Sequence, residues 1–201
     1  MYVPWKNGSL YENGYISNLS HSGELQWRKQ IADVNQITTA TDKDEKIYAA
    51  WSRNSYHTEE TRGSFIAKLN PDNGEIVWKT ELESHNYIIN DLHAVGNTLY
   101  AVGQYKGTKR PLFIAVNLND GTLLWQKEVA ASDSTAFTEI DSDGSNLYVS
   151  SKSALGISGT VHQFNLDGSV VEAWNGSDRQ KLSRTNTQDQ TSVIVLSLIH
   201  I

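Results

Sequence analysis

The 201-residue chain contains no cysteine. That excludes disulfides, thiolate metal sites and a cysteine nucleophile, and it leaves the compartment open. No apolar run approaches the roughly 20 residues that a bilayer-spanning helix needs, so no membrane span is expected. Basic charge is also scarce: 17 Lys and Arg stand against 23 Asp and Glu, a net charge of -6. A phosphate-binding protein concentrates positive charge on one face, so nucleic acid is not an expected partner. The one basic cluster, "KGTKR" at 106–110, sits between strand-like runs and reads as a solvated hairpin loop. The opening "MYVPWKNGSL" has neither the basic n-region nor the apolar h-region of a signal peptide. No stretch has the caps and period of an amphipathic helix of useful length. None of the six His has a partner at metal-binding helical spacing.

What is present is a repeat. Trp27, Trp78, Trp125 and Trp174 are spaced by 51, 47 and 49 residues. Tyr2, Tyr48, Tyr100 and Tyr148, in "MYVPW", "IYAAW", "LYAVG" and "LYVSS", are spaced by 46, 52 and 48. Two independent markers on one beat identify a long internal repeat. Within each unit, runs such as "KIYAAWS", "SFIAKLN" and "EIVWKTEL" are rich in aromatic and β-branched residues. Turn residues separate them: "DKDEK", "PDNG", "LNDG", "DSDGS", "NLDG". In "EIVWKTEL", Ile76, Trp78, Thr80 and Leu82 share one face, and Glu75, Val77, Lys79 and Glu81 share the wet face. About four short antiparallel strands per unit, at a period of about 40 to 50 residues, predict an all-β chain of β-propeller blades. The alternative is a β-sandwich, which gives turns at similar intervals but no superimposable long repeat.

Residues Ala115–Trp125, "AVNLNDGTLLW", resemble the Ala-x-Asp-x-x-x-Gly-x-x-x-Trp motif of quinoprotein-like propellers, with Asn117 in place of the Asp. "IAKLNPDNGEIVW" is similar to a bacterial propeller repeat of the SBBP type, with one extra residue before Gly74. The first unit keeps Gly23 and Trp27, and in the last Trp174 follows Gly168 by six residues instead of four. The resemblance implies that Gly23, Trp27, Gly74, Trp78, Gly121, Trp125, Gly168 and Trp174 are structural anchors, each Trp packing on the next blade near its Gly. The approximate blades are 1–34, 35–88, 89–134 and 135–180, followed by the start of another at 181–195. The tail "LSLIHI", 196–201, resembles a translated sequencing adapter and reads as non-biological, against a genuine last strand as the alternative. Together these readings give about four blades out of a larger six- to eight-bladed ring.

No catalytic set is legible. "TDKDEK" and "DSDGSN" echo half of a calcium loop, with Asp141, Asp143 and Ser145 as alternate oxygens, but the late bidentate Glu is missing and hairpin turns use the same residues. The expectation is a non-catalytic binding or scaffolding module of a secreted or cell-surface bacterial protein, in the extracellular space, at the cell surface or in the periplasm, with no cofactor. Its partner is a protein or carbohydrate. The longest loops, 52–63 and 103–111, follow the Tyr-bearing strand and should share one end of the ring. The resemblance also admits a fragment of a pyrroloquinoline-quinone-dependent dehydrogenase, which would bring the quinone and calcium, and an envelope protein-assembly factor.

Overall fold

A computed structural model describes residues 2–6, 14–31, 34–53, 63–82, 87–105, 110–129, 134–153 and 159–175. Among the described residues there are fifteen β-strands and no helix. The first sheet has three strands in the order β1 (Tyr2–Lys6), β2 (Gly14–Leu19), β3 (Leu25–Ile31). The second runs β4 (Val34–Thr41), β5 (Ile47–Arg53), β6 (Gly63–Leu69), β7 (Ile76–Glu81). The third runs β8 (Tyr87–Val95), β9 (Thr98–Tyr105), β10 (Arg110–Asn117), β11 (Leu123–Glu128). The fourth runs β12 (Ser134–Ser142), β13 (Asn146–Ser153), β14 (Gly159–Asn165), β15 (Val170–Asn175). Every pairing is antiparallel between chain neighbours, so each sheet is a meander.

The sheets pack face to face in chain order, and the first strands lie together: β4 touches β8, and β8 touches β12. These are consecutive blades of a β-propeller. Three apolar clusters fill the three gaps. Ile16 and Ile31 meet Ile47, Trp51 and Phe65 in the first. Tyr48, Ala50 and Ile66 meet Leu99, Leu112 and Ile114 in the second. Phe113 meets Phe137 and Phe164 in the third, with Phe113–Phe164 ring centroids 5.0 Å apart in an edge contact. The second and third strands of a blade are therefore buried on both faces. This is why "IYAAW" and "LFIAV" read as continuous apolar runs, while outer strands such as β7 alternate.

The Tyr beat is a true register. Tyr2, Tyr48, Tyr100 and Tyr148 stand opposite Asn18, Lys68, Ala115 and Gln163. Those residues in turn stand opposite Trp27, Trp78, Trp125 and Glu172. Just before this row each outer strand carries a β-bulge, at Gln26, Val77, Leu124 and Val171. The bulge corrects the face assignment in β7. Ile76, expected with Trp78 on the packed face, is 42% exposed, because the extra residue Val77 breaks the alternation between them.

Candidate functional site

Each inter-sheet gap ends in a turn that receives an indole. Gly74, Gly121 and Gly168 have φ of +71°, +76° and +75°. A side chain is strained there, and a Cβ on Gly74 or Gly121 would also come within 2.6 or 2.5 Å of the ring of Trp27 or Trp78. Trp27 Nε1 donates to Pro71 O at 2.7 Å, and Trp78 Nε1 donates to Leu118 O at 3.1 Å. Thr80 adds a hydroxyl donated to Gly121 O.

The third gap differs. The turn at Gly168 is one residue shorter, its amide bonding Asn165 O where Gly74 and Gly121 reach back one residue further, to Asn70 and Asn117. Trp125 meets Gly168 with its Cη2–Cζ2 edge, Tyr100 OH takes Leu166 O at 2.9 Å, and Lys127 Nζ takes Asp167 O at 2.7 Å. Gly23 has the same positive φ, +85°, with nothing within 4 Å of a Cβ. Trp174 does not join the row. Glu172 holds the position of Trp27, Trp78 and Trp125, and Trp174 stands two rungs further on, opposite Val161. Its spacing from Gly168 in the sequence carried this signal.

The acidic turns that echo a calcium loop are saturated from inside. Asp42 Oδ1 accepts the amides of Asp44 and Lys46, and Oδ2 accepts Tyr48 OH at 3.0 Å. Asp143 repeats this with the amides of Ser145 and Asn146 and with Tyr148 OH at 2.9 Å. Burial and the bond to Asp143 push the Tyr148 phenol up to about 12. Asp143 is held below the ordinary carboxylate range, since partial burial, which would raise it, is outweighed by those amides and the hydroxyl. Asp141 bonds the Ser142 amide and lies 3.6 Å from His93 Nε2. His93 lies inside β8, which runs on to Val95. Among the described residues, no three His, Asp or Glu converge to hold a metal ion.

The two long connections join the second and third strands of neighbouring blades, so they share one end of the molecule. Their bases are described, with Arg53 opposite Gly63 and Tyr105 opposite Arg110. Residues 54–62 and 106–109 lie outside the described residues. Polar groups the sequence reading missed gather near this end. Trp51 Nε1, Ser52 Oγ and Arg53 Nε are buried without a hydrogen-bond partner. So is Gln126 Oε1, whose amide nitrogen donates to Tyr87 OH at 2.7 Å beside the Tyr87–Tyr105 ring pair. Buried polar atoms are nearly always paired, so these four stand out from the rest of the described residues. A polar residue inside an apolar strand, such as Ser52 after "IYAAW", was the available signal.

A family model described as outer membrane protein assembly factor BamB matches residues 12–197. The chain belongs to this family, PQQ_2. No curated protein matches it in sequence. Among solved structures, the PQQ_2 chain is similar to BamB from Moraxella catarrhalis at 14% identity and a TM-score of 0.52, covering 87% of this chain and 50% of that one. It is similar to the Dos1 propeller at 11% identity and a TM-score of 0.54, covering 85% and 46%. It also resembles a subtype N10 neuraminidase-like protein of A/little yellow-shouldered bat/Guatemala/060/2010, at 12% identity and a TM-score of 0.55, covering 82% and 50%. The likeness shows the fold. The chain spans about half the length of these structures. No described helix is long and apolar enough to cross a membrane.

Proposed function

We propose that this PQQ_2 chain is a non-catalytic protein-binding module of a bacterial envelope assembly factor, working outside the cytoplasm and without a quinone or metal cofactor. The observation that carries the reading is the family match over residues 12–197. It is supported by how the described polar groups are spent. The acids of the repeat close turns and clamp tyrosines, which is structural work. The unspent polar atoms lie where loops 52–63 and 103–111 emerge, and binding residues concentrate on such loops.

The test is binding of the purified chain to a detergent-solubilised bacterial outer-membrane protein assembly complex. A second chain with 54–62 and 106–109 replaced by short turns runs beside it. Binding by the first and loss of binding by the folded second is the expected result. Equal binding by both moves the site away from this end, and no binding by either removes the assembly-partner reading. An absorbance titration with pyrroloquinoline quinone and calcium checks the cofactor. Tight stoichiometric uptake would overturn the non-catalytic assignment.

A further inference from the structure

A cleft of about 170 Å³ opens between the second and third blades, at the end opposite the long loops. Its walls are the β4–β5 turn with Asp42, Lys43, Asp44 and Lys46, then Lys68 from β6, and Asn97 and Asn119 from the third blade. Tyr48, Ala94 and Leu118 also line it. It exists because the two facing turns differ in size. Thr41 pairs with Ile47 across a five-residue turn, whereas Val95 pairs with Thr98 across Gly96 and Asn97 alone.

The carboxylates of the cleft are already engaged. Asp42 accepts two amides and the Tyr48 hydroxyl, and Asp44 accepts Lys46 Nζ at 3.3 Å. Tyr48 stays neutral: burial first, and then the bond to Asp42, hold its phenol well above the ordinary tyrosine range. The unspent capacity is donor capacity. Lys43 and Lys68 have no ion-pair partner among the described residues, and Asn119 offers a carboxamide. Three lysines against two aspartates leave one net positive charge, in a chain whose net charge is -6.

The fourth blade supplies the control. Its Asp143–Tyr148 clamp has the same hydrogen bonds, yet its turn, Asp143-Gly144-Ser145-Asn146, contains no lysine. The clamp therefore does not need the lysines. We infer that the cleft between the second and third blades is a binding site for a single carboxylate, held by the ammonium groups of Lys43 and Lys68. Size points the same way: drug-sized ligands fill pockets of roughly 300 Å³ or more, and this cleft is smaller. The carboxylate belongs either to a small free acid or to a peptide C-terminus, which presents the same group.

Amide chemical shifts of the isotope-labelled chain, titrated with sodium acetate against sodium chloride at matched ionic strength, test this. Saturable shifts at Asp44, Lys46, Gly96, Asn97 and Asn119 are expected with acetate alone. Lys43→Gln should weaken the acetate response about tenfold, the worth of one charge-assisted hydrogen bond of about 1.4 kcal/mol, and Lys43→Gln/Lys68→Gln should abolish saturation in an otherwise native spectrum. Succinate and a short peptide with a free or amidated C-terminus separate the two sources. Tighter binding of succinate assigns a free acid, and tighter binding of the unamidated peptide alone assigns a chain terminus. Acetate shifts indistinguishable from chloride, unchanged saturation in Lys43→Gln, or tighter binding of inorganic phosphate would overturn the assignment.

Discussion

Trp78 closes the gap between the second and third blades with one ring and one N–H. Its indole lies over Gly121, 6.3 Å from the Tyr48 ring, and its nitrogen finds a carbonyl that would otherwise face a dry contact. Truncation to Ala removes the ring and leaves a void, so Trp78→Ala should lose about 3 kcal/mol in urea unfolding. Gly121→Ala probes the other half of the contact. An L-residue at φ of +76° costs about 1–2 kcal/mol, and the added methyl must displace the ring, so a total near 2 kcal/mol or more is expected. A loss below about 0.5 kcal/mol, the range of ordinary surface substitutions, would show that turn and ring are not packed as described. His162 carries the pH dependence. It is buried against Phe137, with Nε2 3.1 Å from Ser151 Oγ, and burial lowers its pKa below the ordinary imidazole value. The unfolded chain therefore takes up that proton first. The contribution to stability is complete above about pH 6.5 and declines as pH falls below it, toward the folded-state pKa. His162→Leu should flatten this part of the stability profile between pH 8 and pH 5; an unchanged slope would assign it to other groups.

At the scale of strands and sheets, the innermost strands have a problem that the repeat does not solve. β4, β8 and β12 are sheet edges, with backbone groups pointing away from their own blade. Side chains of the preceding blade meet some of these groups on β8 and β12. Gln36 Nε2 donates to Ile89 O at 3.2 Å, Asn90 Nδ2 donates to Phe137 O at 2.6 Å, and Asp91 Oδ2 accepts the Ile140 amide at 3.0 Å. Burial raises the Asp91 pKa, offset in part by the Ile140 and Leu92 amides. Asp91→Ala strands the Ile140 N–H and should cost about 1–3 kcal/mol. Asp91→Asn, which keeps an acceptor without the buried charge, should cost less at neutral pH; equal losses would mean that the bond to Ile140 is not what Asp91 contributes. These straps explain what the sequence could and could not reveal. The Tyr row was legible because the same residue type recurs at the same rung in four sheets. Gln36, Asn90 and Asp91 were not, because each gap uses a different donor or acceptor and no period links them. Trp174 differs again. Counting Trp to Trp hides a two-residue slide along the strand, which its distance from Gly168 signals and the pairing of Glu172 with Gln163 shows.

For the molecule as a whole, stability should be close to a sum over gaps. Among the described residues, each apolar cluster bridges one pair of chain-neighbouring blades, and the three share no buried residue. Trp27 serves the first gap through Gly74 and Pro71, whereas Trp125 serves the third through Gly168. The two rings have a whole gap, with its own Trp78, between them. Losses from Trp27→Ala and Trp125→Ala should therefore add to within about 0.5 kcal/mol in the double variant. Trp78→Ala shares a blade with each and need not add to either. The first gap also carries the Trp27–Pro71 hydrogen bond at 2.7 Å, while in the third the carbonyls of the Gly168 turn are taken by Tyr100 and Lys127. Trp27→Ala removes a ring and one hydrogen bond to Pro71 O, which keeps Asn18 Nδ2 at 3.2 Å, and Trp125→Ala removes a ring and its cation–π contact with Lys127 Nζ at 4.8 Å. The two losses should therefore lie within about 1 kcal/mol of each other. Urea unfolding of the two single variants and the double variant measures both quantities. A double-variant loss well below the sum would mean that the middle gap couples its neighbours rigidly, and the blades would then have to be treated as one cooperative body.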